Sequence, residues 1–355
     1  MEIGISMFGD LKFDKQNNSY QSSTQRINEI IEEVKLMDEV GLDVFGIGEH
    51  HRKDYAVSTP DIILAGAATV TKNIKLTSAV TVLSSNDPVR VYQSFSTINA
   101  MSNGRAEITV GRGSFIESFP LFGYDLNDYN ELFTEKLNLL LNINAIDGPL
   151  TWTGKHRASL KEQQVFPRSE QPMDVWIAAG GTPESVLRAA KLGLPLVFAI
   201  IGGMPEQYKP FFDYYKQEYI NAGHDISKMQ IATHSHGLVG VDGNALAKDY
   251  FPVYKEQMDR IGASRGWQPY TYEQYEGGRS RDGALFIGDV DQVVDKILYH
   301  QEMFGLTRWL MHSDLGAPDH LTQMKNIELL GTKIAPAVKK HCVNNTNDYN
   351  KNKFL

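Results

Sequence analysis

Residues 27–51 read Ile27-Asn28-Glu29-Ile30-Ile31-Glu32-Glu33-Val34-Lys35-Leu36-Met37-Asp38-Glu39-Val40-Gly41-Leu42-Asp43-Val44-Phe45-Gly46-Ile47-Gly48-Glu49-His50-His51. The first part places Ile27, Ile30, Ile31, Val34, Met37 and Val40 at helical spacing, and Gly41 closes the helix. Leu42–Gly48 is too short for a second helix and reads as a buried strand. A polar triplet, Glu49-His50-His51, follows it directly.

The same grammar recurs outward from this unit. Ile3–Phe8 is an apolar run upstream; Ile74–Leu83, Ala106–Val110, Val175–Ala178, Leu194–Ile201, Gln230–Val241 and Arg308–His312 follow downstream. Thr59-Pro60-Asp61, Asp87-Pro88 and Thr182-Pro183-Glu184 have the cap-then-proline order that opens helices between the runs. A further helix spans Asp289 to Phe304. Strand–helix alternation predicts a parallel sheet with helices outside. About eight such units in one chain predict an α/β fold of the (β/α)8 barrel type rather than an open doubly wound sheet. Residues 1–340 then form one barrel domain with two insertions. Residues 112–173 hold a helix, Tyr129–Asn142, and a polar hairpin-like stretch from Trp152 to Phe166. Residues 263–285 are rich in Gly, Tyr and Arg without helical period. Residues 341–355 form a polar, frayed C-terminal tail.

Composition narrows the function classes. The 355 residues are 42% hydrophobic and 22% charged, which is globular and excludes disorder. A net charge of −8 gives no basic footprint for nucleic acid. Cys342 is the sole cysteine, so an intramolecular disulfide and a cysteine-based metal cluster are excluded. The longest strongly apolar stretch, around Leu194 to Met204, falls short of the roughly 20 residues of a membrane helix. Met1-Glu2-Ile3-Gly4 enters a strand-like run without a basic region, so the expectation is a cytoplasmic protein with no signal peptide.

Four places carry candidate chemistry. Residues at strand C-termini line the mouth of a barrel, which puts His50 and His51 where ligands bind, as acid, base or donor; solvated loop histidines are the competing reading. His234 and His236 share one face of a strand and suggest a metal-dependent hydrolase, against packed or hydrogen-bonded core histidines. The second reading is preferred, because no carboxylate–histidine set completes a site. Gly180-Gly181-Thr182-Pro183 opens a helix and suits an anion, or is an ordinary strand–helix turn. Gly111-Arg112-Gly113 sets an arginine between glycines, with space for a phosphate. A Gly-x-Gly-x-x-Gly fingerprint is missing here, and Gly148 to Lys155 fails the spacing of a P-loop.

Taken together, Gly41 through His51, Asp87-Pro88-Val89-Arg90, Met101-Ser102-Asn103-Gly104-Arg105, the two glycine turns and Ile287-Gly288-Asp289 occur in one order and spacing. From Ile3 to about Lys340 the chain resembles the bacterial luciferase-like, flavin-dependent monooxygenases. The resemblance implies a (β/α)8 barrel that binds reduced FMN at its C-terminal mouth and, with oxygen, oxidises a small organic substrate. It places the catalytic histidine on His50, the phosphate-pairing arginine on Arg112 and the second phosphate turn on Gly180, Gly181 and Thr182. The family's non-prolyl cis peptide falls on Ala79-Val80. It further implies a homodimer and a separate reductase that supplies the flavin. Sister enzymes use the deazaflavin F420 for hydride transfer, which stays an alternative, as does a non-catalytic flavin-binding protein. Luciferase itself carries a reactive cysteine where this chain has Gly111, which argues against light emission.

Overall fold

The computed structural model describes residues 1–113, 115–263 and 265–352, with residues 344–352 by backbone alone. Eight parallel strands close on themselves: β1 (Glu2–Met7), β2 (Val44–Ile47), β3 (Lys75–Ser78), β4 (Ala106–Gly111), β5 (Val175–Ala179), β6 (Leu196–Ala199), β7 (Ile231–Val239) and β8 (Arg308–His312). Each pairs with the next, β4 with β5 through Ile108 and Val175, and β8 returns to β1 through Arg308 and Glu2. Every apolar run read from the sequence is one of these strands. The strands read as continuous apolar runs because barrel side chains inside and helices outside bury both faces. The fold is a (β/α)8 barrel.

The long run Ile74–Leu83 divides. β3 ends at Ser78, and Thr81–Val82 pairs separately with Val110–Gly111. The intervening Ala79–Val80 peptide bond is cis. Helix starts follow the proline signals: the Asp87 carboxylate accepts from the amides of Val89 and Arg90 at the head of Pro88–Met101. The N-terminal end of the barrel is shut by charge. The Arg308 guanidinium donates to both Glu107 oxygens at 2.7 and 2.9 Å, with Glu2 and Lys75 beside it.

Three expectations are corrected. Residues 263–285 are not helix-free, since Tyr272–Arg279 is a helix opened by a Thr271–Gln274 capping box. A helix at Gly243–Ala263, with Pro252 inside it, also precedes that segment. The polar tail is not frayed in the described residues; the last helix runs from Ala335 to Asn352. Residues 112–173 do hold an antiparallel hairpin, Leu150–Trp152 with Leu160–Gln163, but the helix Tyr129–Ala145 there is the barrel's own fourth helix. Among the described residues no helix is long and apolar enough to cross a membrane.

Candidate active site

A cavity of about 610 Å³ opens at the C-terminal ends of the strands. Ser78, Ala79 and Val80 form one wall, Gly111, Arg112 and Gly180 the next, and His234 and His236 the side across from Ala79. Both insertions reach it, through Phe115 and Tyr129 and through Arg265 and Trp267. Gly111 is required where it stands: a Cβ there would meet Val80 Cγ2 at 2.7 Å. The cysteine of luciferase has no room at this position.

Arg112 and the turn after β5 converge because β4 and β5 are neighbours. Arg112 donates to Thr182 Oγ1 at 2.9 Å, Ser185 Oγ at 3.1 Å and Asn130 Oδ1 at 2.7 Å. All three partners are neutral. Thr182 precedes the helix Pro183–Leu192 without capping it, since its hydroxyl is engaged with Arg112 and Ser185. The first amides of that helix therefore lack a side-chain cap. Gly181 takes φ +107°, a backbone that a residue with Cβ rarely adopts. A second guanidinium, Arg188, donates to Thr134 at 3.2 Å, one turn along the same helix as Asn130. Its Nη1 is buried with no hydrogen-bond partner. Burial first, and then the Arg112 charge, lower the Arg188 pKa. No carboxylate lies within ion-pair distance of either guanidinium among the described residues. Arg188 is absent from the sequence reading, because its meaning depends on Arg112.

The triplet after β2 divides its labour. The Glu49 carboxylate accepts from the Val82 amide at 2.9 Å and from Asn86, and it holds His51 Nε2 at 2.8 Å. All three line the cavity, and His50 is the one not engaged by the Glu49 carboxylate. Its ring stacks on Tyr55 at 4.4 Å and meets Phe8 and Phe115 edge-on at 4.4 and 5.0 Å. Nδ1 has no hydrogen-bond partner. Burial pushes its pKa down to about 3, so at neutral pH it is an uncharged imidazole.

His234 and His236 also line the cavity, so they are not merely packed core histidines. His236 Nδ1 is 3.0 Å from the Tyr254 hydroxyl, whereas His234 Nε2 has no partner. Burial lowers the His234 pKa to about 4 and the His236 pKa to about 3. They do not converge with carboxylates as a metal site. Among the described residues two sets do come close: Asp128, Glu131 and His156 on the helix and hairpin after β4, away from His234 and His236, and Asp10, His312 and Asp314 beside them. There the Asp314 oxygens already accept from the amides of Phe8, Gly9 and Asp10 and from Arg26. A cation would have to displace those bonds beside a guanidinium, so the hydrolase reading loses its geometric basis.

The model for luciferase-like monooxygenases matches residues 1–307. The chain belongs to that family. An uncharacterized protein of Sinorhizobium fredii, y4vJ, is 24% identical over 336 residues, covering 92% of this chain and 95% of its own. N-acetyl-S-alkylcysteine monooxygenase of Bacillus subtilis is 29% identical over 194 residues, 53% of this chain and 56% of that one. Among solved structures, monooxygenase RslO1 from Streptomyces bottropensis superposes with TM-score 0.80 at 19% identity, covering 95% and 99% of the two chains. The oxygenating constituent of 3,6-diketocamphane monooxygenase from Pseudomonas putida, in complex with FMN, gives 0.74 at 20%, over 95% and 98%. An F420-dependent secondary alcohol dehydrogenase gives 0.74 at 16%, over 95% and 99%. At these identities the structural likeness shows the fold.

Proposed function

We propose that this member of the family is an oxidoreductase that uses reduced FMN, delivered by a separate reductase, and molecular oxygen to oxidise a small organic molecule. The observation that carries the reading is the Arg112 guanidinium at the cavity, beside an uncapped helix N-terminus, with Arg188 behind it and the Glu184 carboxylate acting on Arg188 only from beyond ion-pair distance. In a chain of net charge −8, two such positive groups at one rim suit a phosphate dianion. FMN ends in a phosphate monoester, which takes that charge; F420 is linked through a diester and carries less of it there. Arg112, Thr182 and Ser185 would hold the phosphate, and Gly180 and Gly181 let backbone approach it.

Ala79, Val80 and His50 line the same cavity and would face the ring of a flavin held at that anchor. The cofactor supplies the electrons and the reaction with oxygen. The chain supplies position, a dry site and a neutral imidazole. With its pKa near 3, His50 is a neutral acceptor and donor of hydrogen bonds at working pH, able to exchange a hydrogen bond with a reacting oxygen without resting as a cation. The aromatic rings of Phe8, Tyr55 and Phe115 around it keep bulk water away from that exchange.

Titration of the purified protein with FMN and with F420, followed by oxygen uptake on adding reduced flavin and a substrate panel, tests the reading. FMN should bind more tightly, with substrate-dependent oxygen consumption. Tight F420 binding with oxygen-independent turnover would replace it by the hydride-transfer reading. Flavin binding without turnover, unchanged in His50→Ala, would mark a storage or sensing protein.

A further inference from the structure

The cofactor reading occupies the β3 and β4–β5 sides of the mouth and leaves the opposite side without a role. In a closed barrel of eight strands, β7 lies across the axis from β3. Residues two apart on β7, Ala232, His234 and His236, face the cavity together. His236 is held by Tyr254. His234 is held only by ring contacts, 6.0 Å from Phe8 and 5.1 Å from His312. Its Nε2 is buried and has no hydrogen-bond partner. Leaving such a nitrogen unpaired is unfavourable, so a turn of the ring that brings it to a ligand oxygen in the cavity gains affinity.

The surroundings define what that ligand is. Phe8, Tyr55, Met258 and Leu315 give the adjoining cavity an apolar lining. The burial that keeps His50, His234 and His236 uncharged would equally penalise an ionised ligand placed among them. Arg308 on the floor is already paired with Glu107 and Glu2, and Arg265 stands at the exposed rim between Phe115 and Trp267. We propose that His234 is the polar end of a substrate subsite for an uncharged, mostly apolar molecule bearing one carbonyl or hydroxyl oxygen. The imidazole hydrogen-bonds the oxygen, and the apolar body lies against Phe8, Tyr55 and Leu315 between His234 and the Ala79–Val80 wall. The subsite rests on the flavin reading for the chemistry it serves, and not for the binding itself.

Three probes of one shape separate these terms: acetophenone, 1-phenylethanol and α-methylstyrene, which replaces the oxygen by a methylene. Affinities are measured by ligand-observed NMR on the full chain, with and without FMN. The oxygenated probes should bind about tenfold more tightly than α-methylstyrene. His234→Phe should abolish that preference, and His234→Asn, which keeps a donor, should restore part of it. In wild-type protein with labelled histidine, the His234 ring nitrogen resonances should move with acetophenone and not with α-methylstyrene, a readout that no variant has to fold to give. Equal affinities in the wild type, a preference that survives His234→Phe, or no binding of either oxygenated probe at its solubility limit would overturn the proposal. Failure of the cofactor reading shows separately, as absence of FMN binding in protein that still discriminates the probes.

Discussion

Arg112→Ala is the sharpest test of how the cofactor is held. In the structure the guanidinium bridges Asn130, Thr182 and Ser185, all neutral, beside the positive Arg188. A phosphate would replace bonds from the guanidinium to neutral oxygens by bonds between two charged groups, worth about 1.5–3 kcal/mol each. Losing one such bond weakens FMN by roughly 10- to 150-fold. Fluorescence titration with FMN and with riboflavin, which lacks the phosphate, reads the effect. Riboflavin should bind the wild type and the variant nearly equally, and the FMN advantage should shrink as salt is added to the wild type. The alternative is structural. Arg112 also ties the Tyr129–Ala145 helix to the turn after β5, so its loss could loosen the whole rim. In that case riboflavin would weaken as much as FMN, and the phosphate assignment would be refuted.

Three further outcomes follow from the site. His50→Asn should keep FMN affinity within a few-fold while substrate oxidation falls by about 10²–10⁴-fold, read as product formed per reduced flavin supplied. Gly111→Ala forces a methyl against Val80, 2.7 Å away, and should cost about 1–3 kcal/mol in urea unfolding together with weaker flavin binding. Acid should destabilise the fold from pH 6.5 downward. His50, His234, His236 and His300 have burial-depressed pKa values of about 3 to 4, so between those values and 6.5 the unfolded chain binds more protons than the folded one. Each such histidine lowers stability by about 1.4 kcal/mol per pH unit in that window. The Asp10 and Asp314 carboxyls, raised by burial, and His320, raised by its Glu33 hydrogen bond, act in the opposite sense but are fewer. Urea midpoints at pH 7.5 and 5.5 check the sign, and His300→Phe, inside the packing of Phe286 and Phe304, should flatten the slope.

The barrel was legible because its strands are buried on both faces and so print as uninterrupted apolar runs. First-turn prolines did the same for the helices that begin at Pro60, Pro88 and Pro183, of which only the second is capped by a side chain. The helix Gly243–Ala263 was hidden by its own composition: Pro252 interrupts it, and tyrosines and charges dilute its apolar stripe. Tyr272–Arg279 contains two glycines near its end, which weaken helical pattern, and it is fixed instead by its capping box and by Tyr275 buried against Phe251. At the site, the residues after strands could be named one by one, since strand ends define the mouth. Their partners could not. Arg188 acquires meaning only when closure of the barrel sets it beside Arg112. The period of two on β7 placed His234 and His236 on one face but did not say whether that face met packed side chains or a cavity.

What emerges is a mouth with two electrical regions. At the β4–β5 rim, two half-buried guanidiniums stand with no carboxylate within ion-pair distance among the described residues, and in the proposed reading the phosphate meets them there. Elsewhere in the interior, His50, His234 and His312 surround the Phe8 ring and His236 packs on His312, a buried group of imidazoles that burial keeps from carrying charge. Binding strength and chemistry are thereby separated in space. The rim can hold a cofactor by its tail with energy that does not depend on the reacting atoms, and the interior can present hydrogen bonds to a substrate without competing for that anion. A histidine cluster with ordinary pKa values would be partly cationic near neutral pH and would pull a phosphate inward. Depressing all four pKa values by burial removes that competitor from the neighbourhood of the proposed phosphate site.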